Sequence, residues 1–267
     1  MIRYILVLIL LFSTINAKKI VFSKLETKNH KIYIYFINNN IFDITAKVNI
    51  ILKTKNNTIQ KTIIKSFKPH SKTLIYTKKQ PKYSFKYNSK YTWVMGSKDA
   101  KHNNRYLYRL PYALNTKQKV TQGFHGKTTH KGESLYAVDF GLKEGTKIFA
   151  SRGGIVVQIK DDSSKHGFSK KFSKYANFIT IKHNDNTYAT YAHLKKNGVK
   201  VKVGQSIHRG DFIGYSGNTG YTSGPHLHFI VFKPKDYKSR RSIPIKFISQ
   251  GRAIINPLVG KYYIATP

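Results

Sequence analysis

The chain has 267 residues, no cysteine, and 48 lysines and arginines against 11 acidic residues, which gives a formal net charge of +37. The lack of cysteine excludes disulfides, thiol nucleophiles, iron–sulfur centres and an anchor attached through a lipidated cysteine. Any bound metal ion would therefore have to be held by histidine and carboxylate side chains.

The first 17 residues, MIRYILVLILLFSTINA, have the composition of a signal peptide. Arg3 precedes an apolar run over residues 5–12, and the small residue Ala17 follows it. The run is much shorter than the about 20 residues that a membrane-spanning helix needs. We therefore predict residues 1–17 to be a signal peptide, with no transmembrane anchor, and a protein exported to the periplasm, the extracellular space or the cell wall.

The positive charge is spread over both halves of the chain and forms no separate basic tail. For an exported protein, this charge favours anionic polymers of the cell envelope as partners. Nucleic acid is not expected as a partner, because clustered basic and aromatic residues suited to base stacking are missing from the sequence. We expect the protein to be a monomer.

Residues 18–112 alternate apolar with polar side chains in short segments such as KIYIYFINN and ITAKVNIILKT. This alternation predicts a small, β-sandwich-like accessory domain without a catalytic cluster. Residues 113–267 contain more glycine and shorter strand-like segments, including YAVDFGL, TYATYAHL and HLHFIVFK. No segment has a helical period, so the predicted fold class is all-β for both regions.

Three segments of the second region carry candidate site residues. In SGPHLHF, His226 and His228 are two residues apart, which places them on one face of a strand. In YAVDFGL, Asp139 is a carboxylate within an apolar strand, where it needs a charged partner or a cation. In YATYAHL, the same two-residue period predicts that His193 shares a strand face with Tyr191.

A hydrolytic zinc site needs three protein ligands, an open coordination position and groups that move protons. Two histidines and an aspartate as ligands, with two further histidines beside them, would meet these needs. The second region offers eight histidines for these roles: His125, His130, His166, His183, His193, His208, His226 and His228.

The motifs THKGESLYAVDF, TYAHL and GNTGYTSGPHLHF resemble those of the lysostaphin-type zinc metallopeptidases, which are bacterial peptidoglycan endopeptidases. The resemblance covers a core of about residues 120–233 within the predicted domain 113–267. It implies a compact antiparallel β catalytic domain with a groove that binds one Zn²⁺ ion.

By position, the resemblance implies His130, Asp139 and His228 as metal ligands and His193 and His226 as catalytic residues. One catalytic histidine would accept a proton from the attacking water, and the other would stabilise the oxyanion. His130 and Asp139 are nine residues apart, whereas compact members of the family separate these two ligands by four. A longer-spaced subgroup of the family resembles this chain here.

Alternatives exist at several positions. His125 could replace His130 as a ligand, although only His130 has the His-x-Gly context of the family. Glu133 could compete with Asp139. Ile230 follows HLHF where the family often has an acid, which we expect to alter the groove wall and leave the metal ligands intact. The remaining histidines are expected at strand ends or on the surface: His166, His183 and His208.

The sequence therefore predicts a secreted or periplasmic zinc-dependent endopeptidase that hydrolyses peptide bonds in peptidoglycan stem peptides or cross-links. The alternative is a catalytically silent, envelope-binding regulator of another wall hydrolase. The amino-terminal domain is expected to position the enzyme or to cover the groove.

Overall fold

The structure of the protein is a computed structural model that describes residues 20–82 and 84–267. The predicted signal peptide, residues 1–17, lies outside the described residues. Within the described part of the chain, no helix is long and apolar enough to cross a membrane.

Six strands form in the amino-terminal part of the described chain, in the following order: β1 (Val21–Lys28), β2 (Lys31–Asn38), β3 (Ile44–Thr54), β4 (Thr58–Phe67), β5 (Ser71–Lys79) and β6 (Phe85–Met95).

The carboxy-terminal part adds seventeen shorter strands and two 3-10 helices, Gly132–Ser134 and Lys170–Tyr175. The strands are β7 (Leu107–Arg109), β8 (Lys117–Gln122), β9 (Val138–Gly141), β10 (Lys147–Phe149), β11 (Gly154–Lys160), β12 (His166–Gly167), β13 (Phe178–Lys182), β14 (Tyr188–Ala192), β15 (Leu194–Val199), β16 (Ser206–Ile207), β17 (Phe212–Ser216), β18 (Gly220–Tyr221), β19 (Leu227–Pro234), β20 (Arg240–Ser242), β21 (Lys246–Ser249), β22 (Arg252–Ile254) and β23 (Tyr262–Ile264). The predicted all-β fold class is confirmed.

The amino-terminal strands form two antiparallel sheets of three strands each, in the orders β1-β2-β5 and β4-β3-β6. Alternation of apolar and polar residues explains why these segments become strands. On β2, Ile32, Ile34 and Phe36 are fully buried, whereas the residues between them are partly exposed. Phe36 packs against Phe67 of the second sheet, so the apolar faces of the two sheets share one core.

A nine-stranded sheet organises the carboxy-terminal part. Its strands run β16-β11-β13-β14-β19-β9-β8-β23, and β20 pairs with the end of β19. Strand β19 is therefore flanked by β14 on one side and by β9 on the other. Leu227, Phe229 and Val231 of β19 are buried in the core on one face of this sheet. The residues between them point to the opposite face.

That opposite face is covered at one end by the amino-terminal sheets. Tyr188 of β14 and Phe232 of β19 stack with ring centroids 5.7 Å apart, and both belong to the core of the amino-terminal strands. An ion pair between Lys182 and Asp43 joins the same two parts of the chain. The two regions thus share buried apolar side chains. The domain limits predicted from the sequence, 18–112 and 113–267, stay a prediction.

Candidate metal centre

Three side chains meet where β9 and β19 pair. Asp139 and His228 lie directly opposite each other in the antiparallel register, which brings their side chains together on one face. His228 Nδ1 is 2.8 Å from Asp139 Oδ1. His130, from the segment between β8 and β9, places Nε2 3.1 Å from the same oxygen. The potential ligand atoms of the three residues all lie within 4.8 Å of one another.

The hydrogen bonding of His130 leaves a lone pair directed into this cluster. Nδ1 lies 2.8 Å from the carbonyl oxygen of Gly123, and because a carbonyl only accepts, Nδ1 carries the proton. In the neutral ring, Nε2 is then an acceptor. It is fully buried, has no hydrogen-bond partner and faces the Asp139 carboxylate. Two facing buried acceptors are costly unless a cation lies between them, so the residues fit one divalent cation with nitrogen and oxygen ligands.

The second carboxylate oxygen of Asp139 is held by Gln122 at the end of β8. Gln122 Nε2 donates to Asp139 Oδ2 at 2.9 Å and to Thr129 Oγ1 at 2.7 Å. Gln122 Oε1 accepts the backbone N–H groups of Thr128 and Thr129. The glutamine therefore orients both the carboxylate and the segment that carries His130. Sequence reasoning missed Gln122, because no motif or periodicity distinguishes it from other polar strand residues.

The cluster favours an ionised aspartate. Burial works to raise the pKa of Asp139, but contacts with His130 and His228 outweigh it and hold the pKa well below its usual range. Burial likewise works to lower the pKa of His130, yet the nearby Asp139 carboxylate raises it. A negative charge is thus retained at the centre of a group of imidazoles.

His193 reaches the cluster through an unusual backbone conformation. Strand β14 ends at Ala192, and His193 has a φ of 65°, in the left-handed region. The prediction that His193 shares a face with Tyr191 is therefore wrong. Tyr191 is buried in the core, with its hydroxyl 2.7 Å from the backbone nitrogen of Ser151, whereas the His193 ring lies beside His226 and His228.

His193 and His226 present equivalent nitrogen atoms to the cluster. His193 Nδ1 donates to the carbonyl of Thr219 at 2.6 Å, and His226 Nδ1 donates to that of Gly224 at 2.9 Å. In the neutral rings both Nε2 atoms are therefore acceptors, and that of His226 is 3.9 Å from Asp139 Oδ1. Burial, reinforced by the charges of His226 and His228, lowers the pKa of His193 to about 3. His193 is thus a neutral imidazole at physiological pH.

The structure also places the rival candidates. His125 is exposed and packs its ring against Tyr136, with centroids 5.1 Å apart, outside the cluster. Glu133 accepts hydrogen bonds from Arg240 and does not join the cluster. His183 directly follows β13, as predicted, and is buried away from the site. The two remaining histidines of the region are exposed: His166 and His208.

Comparison with known proteins places this region in a peptidase family. Residues 128–240 match Peptidase family M23. An uncharacterized metalloprotease of Buchnera aphidicola subsp. Baizongia pistaciae is 30% identical over 230 residues, which cover 82% of this chain and 56% of the relative. The peptidoglycan DD-endopeptidase ShyA of Vibrio cholerae is 35% identical over 123 residues, which cover 44% of this chain and 26% of ShyA.

Among solved structures, the catalytic domain of lysostaphin from Staphylococcus simulans is 29% identical, with 44% of this chain and 79% of that chain covered and a TM-score of 0.32. The chain spans about half the length of the Buchnera relative and about a quarter of ShyA. The match to the M23 family contains His130, Asp139, His193, His226 and His228 within its limits. The chain therefore contains a peptidase M23 domain.

Proposed function

We propose that the protein is an exported, zinc-dependent endopeptidase that hydrolyses peptide bonds in the stem peptides or cross-links of peptidoglycan. The observation that carries this proposal is the convergence of one ligand atom each from His130, Asp139 and His228 within 4.8 Å of one another. The names of its relatives, a metalloprotease and a peptidoglycan DD-endopeptidase, support the same reaction class.

In the proposed site, His130, Asp139 and His228 would hold one Zn²⁺ ion. Two nitrogen ligands and one oxygen ligand leave a coordination position open, as in catalytic zinc sites. The chemistry that zinc supplies in such a site is polarisation of the scissile carbonyl and activation of water near neutral pH. Gln122 would keep the Asp139 carboxylate in its ligating orientation through the 2.9 Å hydrogen bond to Oδ2.

The remaining histidines are suited to proton transfer. Their Nδ1 atoms are tied to the carbonyls of Thr219 and Gly224, so each neutral ring offers an unprotonated Nε2. We assign one of the two rings, His193 or His226, to accepting the proton of the attacking water. The other ring, when it carries a proton from solvent on Nε2, would donate a hydrogen bond to the oxyanion. Their rings lie side by side, with centroids 4.5 Å apart, so both reach the same substrate carbonyl.

The proposed location and partners follow from the amino terminus and the charge. A signal-peptide-like start and a formal charge of +37 suit a protein retained on anionic envelope polymers outside the cytoplasm. We propose that it acts there as a monomer. The amino-terminal sheets pack around Phe232, two strand periods from His228, and we propose that they close one end of the substrate groove.

Purified peptidoglycan provides the test. The wild-type protein, the variant Asp139→Ala and a chelator-treated sample are incubated with it, and released fragments are identified by mass spectrometry. We expect release that zinc restores after chelation and that Asp139→Ala abolishes. Asp162→Asn serves as the matched control, because Asp162 is an exposed aspartate outside the cluster.

Retention of full release by Asp139→Ala would contradict the proposal. Zinc-independent binding to the wall, without release from any wall type, would instead support the catalytically silent regulator.

A further inference from the structure

A small cavity extends the site along β19. It has a volume of about 170 Å³. Ile230 and Phe232 line it two and four residues beyond His228, on the same face of the strand. Phe232 is also buried in the core of the amino-terminal sheets, so the cavity ends at this side chain. The other lining residues are Glu133, Ser134, Thr190, His228 and Arg240.

Arg240 is held in a fixed orientation at the edge of this cavity. Glu133 Oε1 accepts the backbone N–H of Arg240 at 2.8 Å, and Glu133 Oε2 accepts its Nε–H at 3.2 Å. The guanidinium carbon lies 4.7 Å from the centre of the Phe232 ring. A charged side chain that is already ordered loses less entropy when a ligand binds it.

The guanidinium retains binding capacity. An arginine side chain carries five N–H donors, and Glu133 uses the one on Nε. Among the described residues, no acceptor is found for the donors on the two Nη atoms of Arg240. These donors form a planar edge whose geometry matches a carboxylate. Because Glu133 already offsets part of the charge, binding at Arg240 depends on this geometry more than on net charge.

We propose that Arg240 binds a carboxylate of the substrate, on the side of the scissile bond that lies over Ile230. This inference rests on the proposed endopeptidase function and names its substrate class, peptides with a free carboxylate near the cleaved bond. His228 and Phe232 are separated by about 13 Å along β19, so the carboxylate lies within about four residues of the scissile bond in an extended peptide.

Matched peptides test the proposal. The peptides have wall-type sequences, and each carries one free carboxylate, at a position that differs from peptide to peptide. Each is paired with a peptide of the same sequence in which this carboxylate is replaced by a carboxamide. We expect the wild-type protein to cleave one acid at about 10-fold to 100-fold higher kcat/KM than its amide. Arg240→Gln should lose this preference, whereas Glu133→Gln, which leaves the guanidinium in place, should retain it.

Arg241→Gln is the matched control, because Arg241 is the next residue and lines a different cavity. The side chains of Arg240 and Glu133 are 45% and 44% exposed, so neither residue is itself part of the buried core. Equal cleavage of acid and amide at every position, or a preference that survives Arg240→Gln, would overturn the inference.

A binding measurement separates this inference from the proposed function. Calorimetric titration of the same peptides into Asp139→Ala needs no catalysis. If Asp139→Ala binds the acid about tenfold more tightly than the amide, and if adding Arg240→Gln abolishes this difference, Arg240 binds the carboxylate even if no peptide is cleaved. Absence of cleavage would count against the endopeptidase, and equal affinity for acid and amide would count against Arg240.

Discussion

His183 is a buried imidazole that should couple the stability of the protein to pH. Its side chain is almost fully buried, Nδ1 donates to the carbonyl of Gly153 at 2.8 Å, and Nε2 has no hydrogen-bond partner. Burial lowers its pKa from 6.5 to about 4, and the Arg152 charge acts in the same direction, while the Gly153 carbonyl and Asp185 oppose the shift. The site is separate from the metal cluster.

The sign of the effect follows from proton uptake. Between pH 6.5 and about 4 the unfolded chain binds a proton at His183 that the folded protein does not bind. Stability is therefore lost as pH falls through this window. The full difference between the two pKa values corresponds to about 3 kcal/mol of unfolding free energy, of which about 2 kcal/mol is lost by pH 5.

Urea unfolding of the metal-free protein between pH 7.5 and 5 measures this effect. In His183→Asn the amide can still donate to Gly153 but does not titrate, and all other ionisable groups are shared with the wild type. We expect the unfolding free energy of the wild type to fall by about 2 kcal/mol more than that of the variant between pH 7.5 and 5. A difference in unfolding free energy between the wild type and His183→Asn that stays constant over this pH range would refute the reasoning.

Two further predictions concern residues that support the site. Gln122→Ala removes the hydrogen bond to Asp139 Oδ2, so zinc affinity in a competition titration should fall about 10-fold to 100-fold; unchanged affinity would show that Gln122 does not orient the ligand. Gly217→Ala would place a Cβ atom 2.3 Å from the backbone nitrogen of Lys195, and should reduce the unfolding free energy by about 1–3 kcal/mol. Gly224→Ala, whose Cβ would meet nothing within 4 Å, should stay within about 0.5 kcal/mol, and equal losses for both variants would contradict the steric argument.

Local patterns in the sequence were sufficient to predict several features. Alternating apolar residues predicted strands, because a strand exposes successive side chains to opposite faces. The same rule placed His226 and His228 on one face, and both lie beside Asp139 in the structure. The isolated carboxylate in an apolar strand predicted that Asp139 needs a charged partner or a cation, and in the structure His130 and His228 place ring nitrogens 3.1 and 2.8 Å from its Oδ1.

The two-residue rule failed at His193 because it applies only within a strand. The chain leaves β14 at Ala192, and the left-handed backbone of His193 turns its ring away from the core face that holds Tyr191. The sequence contains no proline or glycine at this point that would have indicated the change.

The sequence by itself determined the strands, the faces of β19 and β9, and the set of histidines and carboxylates available as ligands. Only the tertiary structure decided which nitrogen of each ring faces the cluster. The carbonyls of Gly123, Thr219 and Gly224 accept hydrogen bonds from Nδ1 of His130, His193 and His226, respectively, which leaves Nε2 of each ring facing the cluster. The pairing of Glu133 with Arg240 and the burial of Phe232 under the amino-terminal sheets also depend on the tertiary structure. All of these contacts join residues that are distant in sequence or depend on backbone groups, which the residue letters do not encode.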